Sequence, residues 1–202
     1  MKAVVNEMPA RWIVERKNSE VAQRDEMWEG VLHMPPIAHV AHQNFGGQLY
    51  AYLRYRWAKP RGWQVYPEIN LAPADEPDWT TNYRIPDLTL LSPDRFGIDR
   101  GTHFAGAPLV VVEIKSPGDE TFEKLPFYAA LGVPEVWVFD RDTKAVELRT
   151  LTAGPAYTLL DPDADGWVRS PASGVQFRPV PGNKVRVRIG EDDATGEDLP
   201  EA

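Results

Sequence analysis

The chain contains no cysteine. Disulfides, thiolate metal sites and cysteine nucleophiles are therefore excluded, and any bound metal must use oxygen or imidazole ligands. This composition suits a reducing compartment, so we expect a cytoplasmic protein. No run approaches about 18 consecutive apolar residues, and the first residues lack a basic and then apolar signal region, so we expect neither membrane insertion nor export.

Positive charge is also in short supply. The sequence has 22 Lys and Arg against 30 Asp and Glu, a net charge of -8, which argues against a protein that coats nucleic acid through bulk electrostatics. Six of the acids lie in residues 190–202, where no Lys or Arg occurs, so the rest of the chain carries only -2. We expect residues 190–202 to form a disordered acidic tail and residues 1–189 to form a single domain.

The most informative stretch is an apolar run at residues 109–117, which contains two opposite charges. Its valine-rich start predicts a strand that is buried on both faces of a parallel or mixed sheet. Side chains alternate along a strand, so Glu113 and Lys115 share one face. Burying such charges is costly unless they are paired or bind an ion. The two residues therefore form either a local ion pair at an exposed strand end or part of a metal site.

Two further features favour the metal site. Upstream, Asp87 follows Pro86 at the start of a second short apolar run. Downstream, Lys124 and Tyr128 lie one helical turn apart, on a segment with helical periodicity. A carboxylate before the Glu113 strand and a lysine after it place several ionisable groups near one strand end.

The segment after the Glu113 strand predicts a helix over residues 121–131, which Gly132 and Pro134 end. A second buried strand is predicted at residues 135–139. Together with the strand at 109–117, these elements predict a β-α-β unit.

These motifs resemble those of the Uma2 family of restriction-endonuclease-like proteins, within the PD-(D/E)xK nuclease superfamily. The likeness covers most of the chain, although Val136 stands where the family usually has an aromatic residue. The matching positions are the Glu26-x-x-x-Gly30 hairpin, His42, Pro86-Asp87, residues 112–117 and residues 132–140.

The resemblance implies an α/β domain with a restriction-endonuclease-like mixed central sheet flanked by helices. It also implies endonuclease-type, Mg²⁺-dependent hydrolysis of phosphodiester bonds in a DNA substrate. Asp87 and Glu113 are then the carboxylate ligands of Mg²⁺ or Mn²⁺, and the backbone carbonyl of Ile114 completes the protein ligands. Lys115 orients the attacking water and helps to deprotonate it. Lys124 and Tyr128 are secondary candidates.

Two other secondary candidates come from neighbouring elements. His42 lies on a predicted helix over residues 39–57, either as a half-buried packing residue or as part of the site. Glu68 lies on a predicted strand over residues 62–71, either exposed or in the acidic cluster if that strand pairs with the Asp87 strand.

A basic cluster ends the predicted helix over residues 39–57. Cations at this position complement the helix dipole, and they could equally contact phosphate groups of nucleic acid. The cluster consists of Arg54, Arg56, Lys59 and Arg61.

The remaining patterns are weaker. Near the N-terminus they predict a short strand at residues 11–14, a helical turn at 18–23 and a hairpin at 26–34. Near the C-terminus, short antiparallel strands are predicted at residues 157–160, 167–169 and 184–189, separated by turn-rich segments.

Other functions compete with the nuclease hypothesis. A glycosidase-like carboxylate pair is a weaker alternative, because a lysine lies two residues from Glu113 and no large aromatic sugar platform is near it. A catalytically silent nuclease-fold module that binds nucleic acid or protein is another. If the chain is a nuclease with one site, a homodimer is the simplest way to cut both strands of a duplex, and we expect one.

Overall fold

A computed structural model describes residues 3–5, 24–35, 38–152 and 154–201. The strand predicted at 11–14 and the helical turn predicted at 18–23 lie outside these residues. In the part of the chain that is described, no helix is long and apolar enough to cross a membrane.

Strands dominate the structure. They are β1 (Ala3–Val5), β2 (Glu26–Trp28), β3 (Val31–Met34), β4 (Gln64–Pro67), β5 (Leu71–Ala72), β6 (Leu88–Leu91), β7 (Phe104–Ala105), β8 (Val110–Lys115), β9 (Glu135–Asp140), β10 (Val146–Leu151), β11 (Tyr157–Leu159), β12 (Val168–Arg169), β13 (Val175–Val180), β14 (Lys184–Ile189) and β15 (Asp192–Leu199).

Helical structure is confined to short segments. The longest are α1 (Val40–Tyr52), which continues as a π-helical stretch at Leu53–Ala58, and α2 (Leu125–Leu131). Short 3-10 turns occur at Lys59–Arg61, Trp79–Thr81, Pro93–Ile98 and Phe122–Lys124.

The central sheet has six strands in the order β11-β10-β9-β8-β6-β4. Strands β8 and β9 are parallel and are joined through α2, which confirms the predicted β-α-β unit. The other neighbours in this sheet are antiparallel, so the sheet is mixed, as predicted. The predicted hairpin is also confirmed, because β2 and β3 pair antiparallel across a tight turn.

Alternation along β8 directs its side chains into two cores. Val110, Val112 and Ile114 join a cluster that contains α1 and the four-stranded antiparallel sheet β12-β13-β14-β15. Val111 joins a second cluster with Tyr128 of α2 on the other face. The central sheet is therefore covered on both sides, which explains why its middle strand is almost continuously apolar.

The helix α1 approaches β8 closely at Gly46, the first residue of its glycine pair. A Cβ atom added at Gly46 would lie 3.1 Å from Cδ1 of Ile114, whereas one at Gly47 would meet nothing within 4 Å. The close approach therefore involves Gly46 and a side chain of the sheet. It also brings the first turn of α1 towards the end of β8.

The prediction of a disordered tail at residues 190–202 is wrong for most of that segment. Residues 192–199 form β15, which pairs antiparallel with β14. Two of the acids that suggested disorder form ion pairs with arginines of β14, Asp198 with Arg186 at 2.9 Å and Asp193 with Arg188 at 2.7 Å. Leu199 at the end of the strand is buried in the larger core. Pairing partners on the neighbouring strand thus compensate for the acidic composition.

Replacing Leu199 with alanine should lower the free energy of unfolding by about 2 to 5 kcal/mol, because Leu199 is 2% exposed and its removal leaves a cavity. The matched control is Leu159→Ala on β11, where the leucine is 46% exposed and the expected change is within about 0.5 kcal/mol. Urea unfolding of the three proteins measures both values. Equal stability of the Leu199 variant and the wild type would show that the tail does not pack.

Candidate metal and active site

Asp87 and Glu113 come together because β6 and β8 run antiparallel. Leu88 pairs with Val112, so Asp87, one residue before Leu88, reaches the level of Glu113, one residue after Val112. Oδ2 of Asp87 accepts a hydrogen bond from the backbone N–H of Ile114 at 2.6 Å. The register of the two strands therefore places the first carboxylate against the Glu-x-Lys segment.

His42 of α1 contacts the other oxygen of the Asp87 carboxylate. Its Nε2 lies 2.8 Å from Oδ1 of Asp87, and its Nδ1 lies 3.4 Å from Oγ of Ser116. Burial lowers the pKa of His42, but the hydrogen bond to Asp87 and the negative charge of Asp87 outweigh burial, so the pKa is raised overall. The His42 side chain therefore takes part in the polar site as well as packing against the sheet.

Glu113 lies on the α2 face of β8 and is 3% exposed. Its carboxylate accepts a hydrogen bond from the hydroxyl of Tyr128 and lies 3.3 Å from Nζ of Lys124. Burial raises the pKa of Glu113 to about 8, with Asp87 and Glu26 acting in the same direction and Lys124 against them. Burial in a low-dielectric environment therefore favours the neutral form of this carboxyl group, and the two neighbouring carboxylates add to that effect.

Glu26 of the β2–β3 hairpin completes this cluster, and the sequence had assigned it no role. Its Oε1 lies 2.8 Å from Nζ of Lys124 and accepts a hydrogen bond from the N–H of Ile85 at 2.8 Å. Its Oε2 accepts from Nε1 of Trp28 at 2.7 Å. Its place in the Glu26-x-x-x-Gly30 hairpin of the family pattern was the signal that could have identified it.

Lys115 is directed away from this cluster. Its Nζ lies 3.4 Å from Oδ2 of Asp140 on β9 and 5.5 Å from the ring centroid of Phe122, and its side chain is 33% exposed. It lines an open depression beside Phe122, whereas Glu26, Asp87 and Lys124 line a neighbouring cavity of about 280 Å³. The lysine of the Glu-x-Lys motif and the Asp87 carboxylate therefore line different depressions.

Glu68 lines the same cavity as Asp87, and its backbone contacts Asp87 directly. β4 pairs with β6 as required, and the N–H of Glu68 donates to the carbonyl oxygen of Asp87 at 3.2 Å. The Glu68 carboxylate instead forms an ion pair with Arg24 at 2.6 Å and is 41% exposed.

The predicted basic cluster lies at the end of the π-helical stretch and the 3-10 turn that follows it. Arg56 pairs with Glu197 of β15 at 3.1 Å. Arg61 donates to the carbonyl oxygen of Trp57 at 2.8 Å, which is the helix-end role that the dipole argument predicts. Arg54 lies in the π-helical stretch, and Lys59 begins the 3-10 turn.

The donor chemistry fits a hard divalent cation. Glu26 and Glu113 contact the Lys124 ammonium, and Asp87 lies near enough to raise the pKa of Lys124 as well. Among the residues that the structure describes, no three His, Asp or Glu side chains are close enough to hold a metal ion alone. A cation here would therefore use two carboxylates, a backbone carbonyl and water, and Mg²⁺ characteristically keeps several water ligands.

The backbone of β8 supports the carbonyl in this set. The carbonyl oxygen of Lys115 accepts from the N–H of Arg141, beyond the end of β9. Successive carbonyls of a strand point to opposite sides, so the carbonyl of Ile114 points to the side where its own N–H meets Asp87.

In the central sheet, the strand that follows Pro86-Asp87 pairs antiparallel with the strand that contains Glu113 and Lys115, and a parallel β-α-β crossover follows. This arrangement defines a restriction-endonuclease-like fold. The chain belongs to the Uma2 family, whose family model, described as "Putative restriction endonuclease", matches residues 9–179. The fold is similar to a solved structure from Anabaena variabilis ATCC 29413, described as "a putative nuclease belonging to DUF820". The two chains are 20% identical with a TM-score of 0.58, and the match covers 77% of this chain and 86% of the other. No curated protein matches the chain.

Proposed function

We propose that the protein hydrolyses phosphodiester bonds in DNA with Mg²⁺ or Mn²⁺ bound between Asp87 and Glu113. The observation that carries this proposal is the antiparallel β6–β8 register, which sets the Asp87 and Glu113 carboxylates side by side at a partly buried strand end. Membership of a family described as restriction endonucleases supports a nuclease-type activity.

The residues of the site have separate roles in this proposal. Asp87, Glu113 and the carbonyl of Ile114 would hold the cation, which when bound supplies Lewis-acid stabilisation of charge on the phosphate. Tyr128 fixes the Glu113 carboxylate, and the N–H of Ile114 fixes the Asp87 carboxylate. Groups that hydrogen-bond to metal ligands orient those ligands, and Tyr128 and the N–H of Ile114 would have this role here.

A lysine at this site would orient the attacking water. The family pattern gives this role to Lys115, whereas the ammonium that lies beside Glu113 is that of Lys124.

Cleavage of a supercoiled plasmid tests the proposal. Wild-type protein should nick or linearise the plasmid in Mg²⁺ or Mn²⁺ and leave it intact in EDTA. Asp142→Asn changes an exposed acid whose described ion pair is with its neighbour Arg141, and this variant should behave as the wild type does. Failure to cleave any DNA or RNA in either metal would favour the catalytically silent module.

Sedimentation equilibrium of the same protein tests the proposed homodimer, which a monomer at micromolar concentration would contradict.

Changing Arg54, Arg56 and Arg61 together to glutamine tests the proposed contact with phosphate. Each lost contact should reduce the slope of log K against log salt concentration by about 0.9 for B-DNA, because fewer counterions are released on binding. Arg100→Gln, which removes one exposed arginine elsewhere, shows how much of the effect comes from the loss of a single positive charge at an unrelated position. Titration of a fluorescent duplex at several salt concentrations gives the slopes. Unchanged slope and affinity would leave the cluster with its helix-end role alone.

A further inference from the structure

Two lysines lie near the end of β8, and their environments differ. Lys115 ends β8 with its ammonium against Asp140, at the surface, and with a third of its side chain exposed. Lys124 extends from the 3-10 turn before α2, its side chain is 14% exposed, and its ammonium lies 3.3 Å from Glu113. Lys124 lines the same cavity as Asp87 and Ile114.

We propose that Lys124, held in place by Glu26, is the cationic group that faces the scissile phosphate, and that Lys115 mainly anchors the end of β9 through Asp140. This assignment rests on the proposed function and names a group of the same site. Its ligand is the phosphodiester anion.

The position of the Lys124 ammonium, in the cavity that Asp87 also lines, supports this assignment. An ammonium fixed beside the reaction centre in a partly buried cavity stabilises developing negative charge without reorganisation. In hydrolysis the water oxygen bonds to phosphorus and releases a proton to solvent, the bond from phosphorus to one ester oxygen breaks, and that oxygen takes up a proton from solvent and leaves as a hydroxyl group. Lys124 keeps its own proton throughout, so its part is electrostatic.

Glu26 is the positioning residue for this ammonium. It is 5% exposed, and its carboxylate is fixed by Ile85 and Trp28 at the same time as it contacts Lys124. The hairpin thus supplies the Lys124 ammonium with a second carboxylate partner besides Glu113. Without the Glu26 charge, the ammonium retains Glu113 as its direct carboxylate partner and should move towards it, away from an incoming phosphate.

Steady-state cleavage kinetics with a short labelled duplex test this assignment. Lys124→Met should lower kcat by about 100-fold or more with a nearly unchanged KM, because the cation acts on developing charge. Lys124→Arg should restore a large part of kcat, and Glu26→Gln should lower kcat with KM retained. Lys115→Met should lower kcat by less than about tenfold, a smaller loss than one donor at the reaction centre causes. Lys184→Met on β14 is the matched lysine control.

Removing Lys124 alone strands two buried carboxylates and could prevent folding. The double variant Glu26→Gln/Lys124→Met removes both charges of the pair, and a thermal melt in EDTA establishes that it is folded. A folded double variant with wild-type kcat, or a Lys124→Met enzyme more active than Lys115→Met, overturns the assignment while leaving the nuclease function in place. An inactive wild type overturns the proposed function and this assignment together.

Discussion

Replacing Glu113 with glutamine should lower Mg²⁺-dependent cleavage at least about 100-fold while leaving the protein folded. Glutamine keeps the shape of the side chain and still accepts the hydrogen bond from Tyr128, but it removes a charged ligand. Folding should survive because Lys124 retains Glu26 as its partner. The buried position already raises the pKa of Glu113 to about 8, so a neutral group is tolerated there.

Plasmid cleavage and thermal melts in EDTA measure the two effects in the same preparations. Glu147→Gln is a suitable control, since Glu147 lies in β10 at the surface and pairs only with Arg149 among the ion pairs described. Retained cleavage by the Glu113 variant would remove it from the metal ligands. Loss of folding in EDTA would instead indicate that Glu113 is needed as the structural partner of Lys124.

Local patterns in the sequence predicted the elements that carry the site. The apolar run with Glu113 and the strand after the helix form as predicted, and the helix predicted over residues 121–131 forms as a 3-10 turn at Phe122–Lys124 followed by α2, which Gly132 ends. Gly132 has φ of +79°, which explains why a glycine stands where the helix must stop. Periodicity succeeds here because each element is buried and its apolar pattern must match the face it covers.

The direction of charged side chains was harder to predict. Alternation places Glu113 and Lys115 on one face of β8, but at the end of the strand the long lysine side chain turns to Asp140. The contact between Lys124 and Glu26 joins segments far apart in sequence, and only the hairpin in its folded position brings them together. Spacing along the chain contains no direct information about such a pair.

The prediction for the C-terminus was wrong because it used composition alone. The acids of residues 190–202 suggested solvation, yet β14 supplies Arg186 and Arg188 as partners for two of them. β13 was also missed, since its alternating pattern includes Pro179, which weakens a strand prediction. Both strands pair with β14 in consecutive antiparallel hairpins, and composition does not record the register that sets Asp198 opposite Arg186.

Asp87→Asn should abolish the stabilisation of the protein by Mg²⁺. In EDTA the substitution relieves repulsion from Glu113 but loses the attraction of His42, so we expect a change within about 1 kcal/mol. Asparagine can still accept the hydrogen bond from the N–H of Ile114, which keeps the local structure. With Mg²⁺ at one hundred times its dissociation constant, the wild type should gain about 2.7 kcal/mol and the variant far less.

Chemical unfolding of wild type and Asp87→Asn in EDTA and in Mg²⁺ tests the metal site most directly, because it needs no substrate. The experiment belongs at about pH 8.5, where a carboxylate ligand with a raised pKa is largely ionised. Stabilisation of the wild type that the variant lacks, with Asp142→Asn behaving as the wild type does, is the predicted result. A wild type indifferent to Mg²⁺, together with a loss of about 3 to 5 kcal/mol for the variant in EDTA, would contradict it and leave Asp87 and His42 as a structural ion pair.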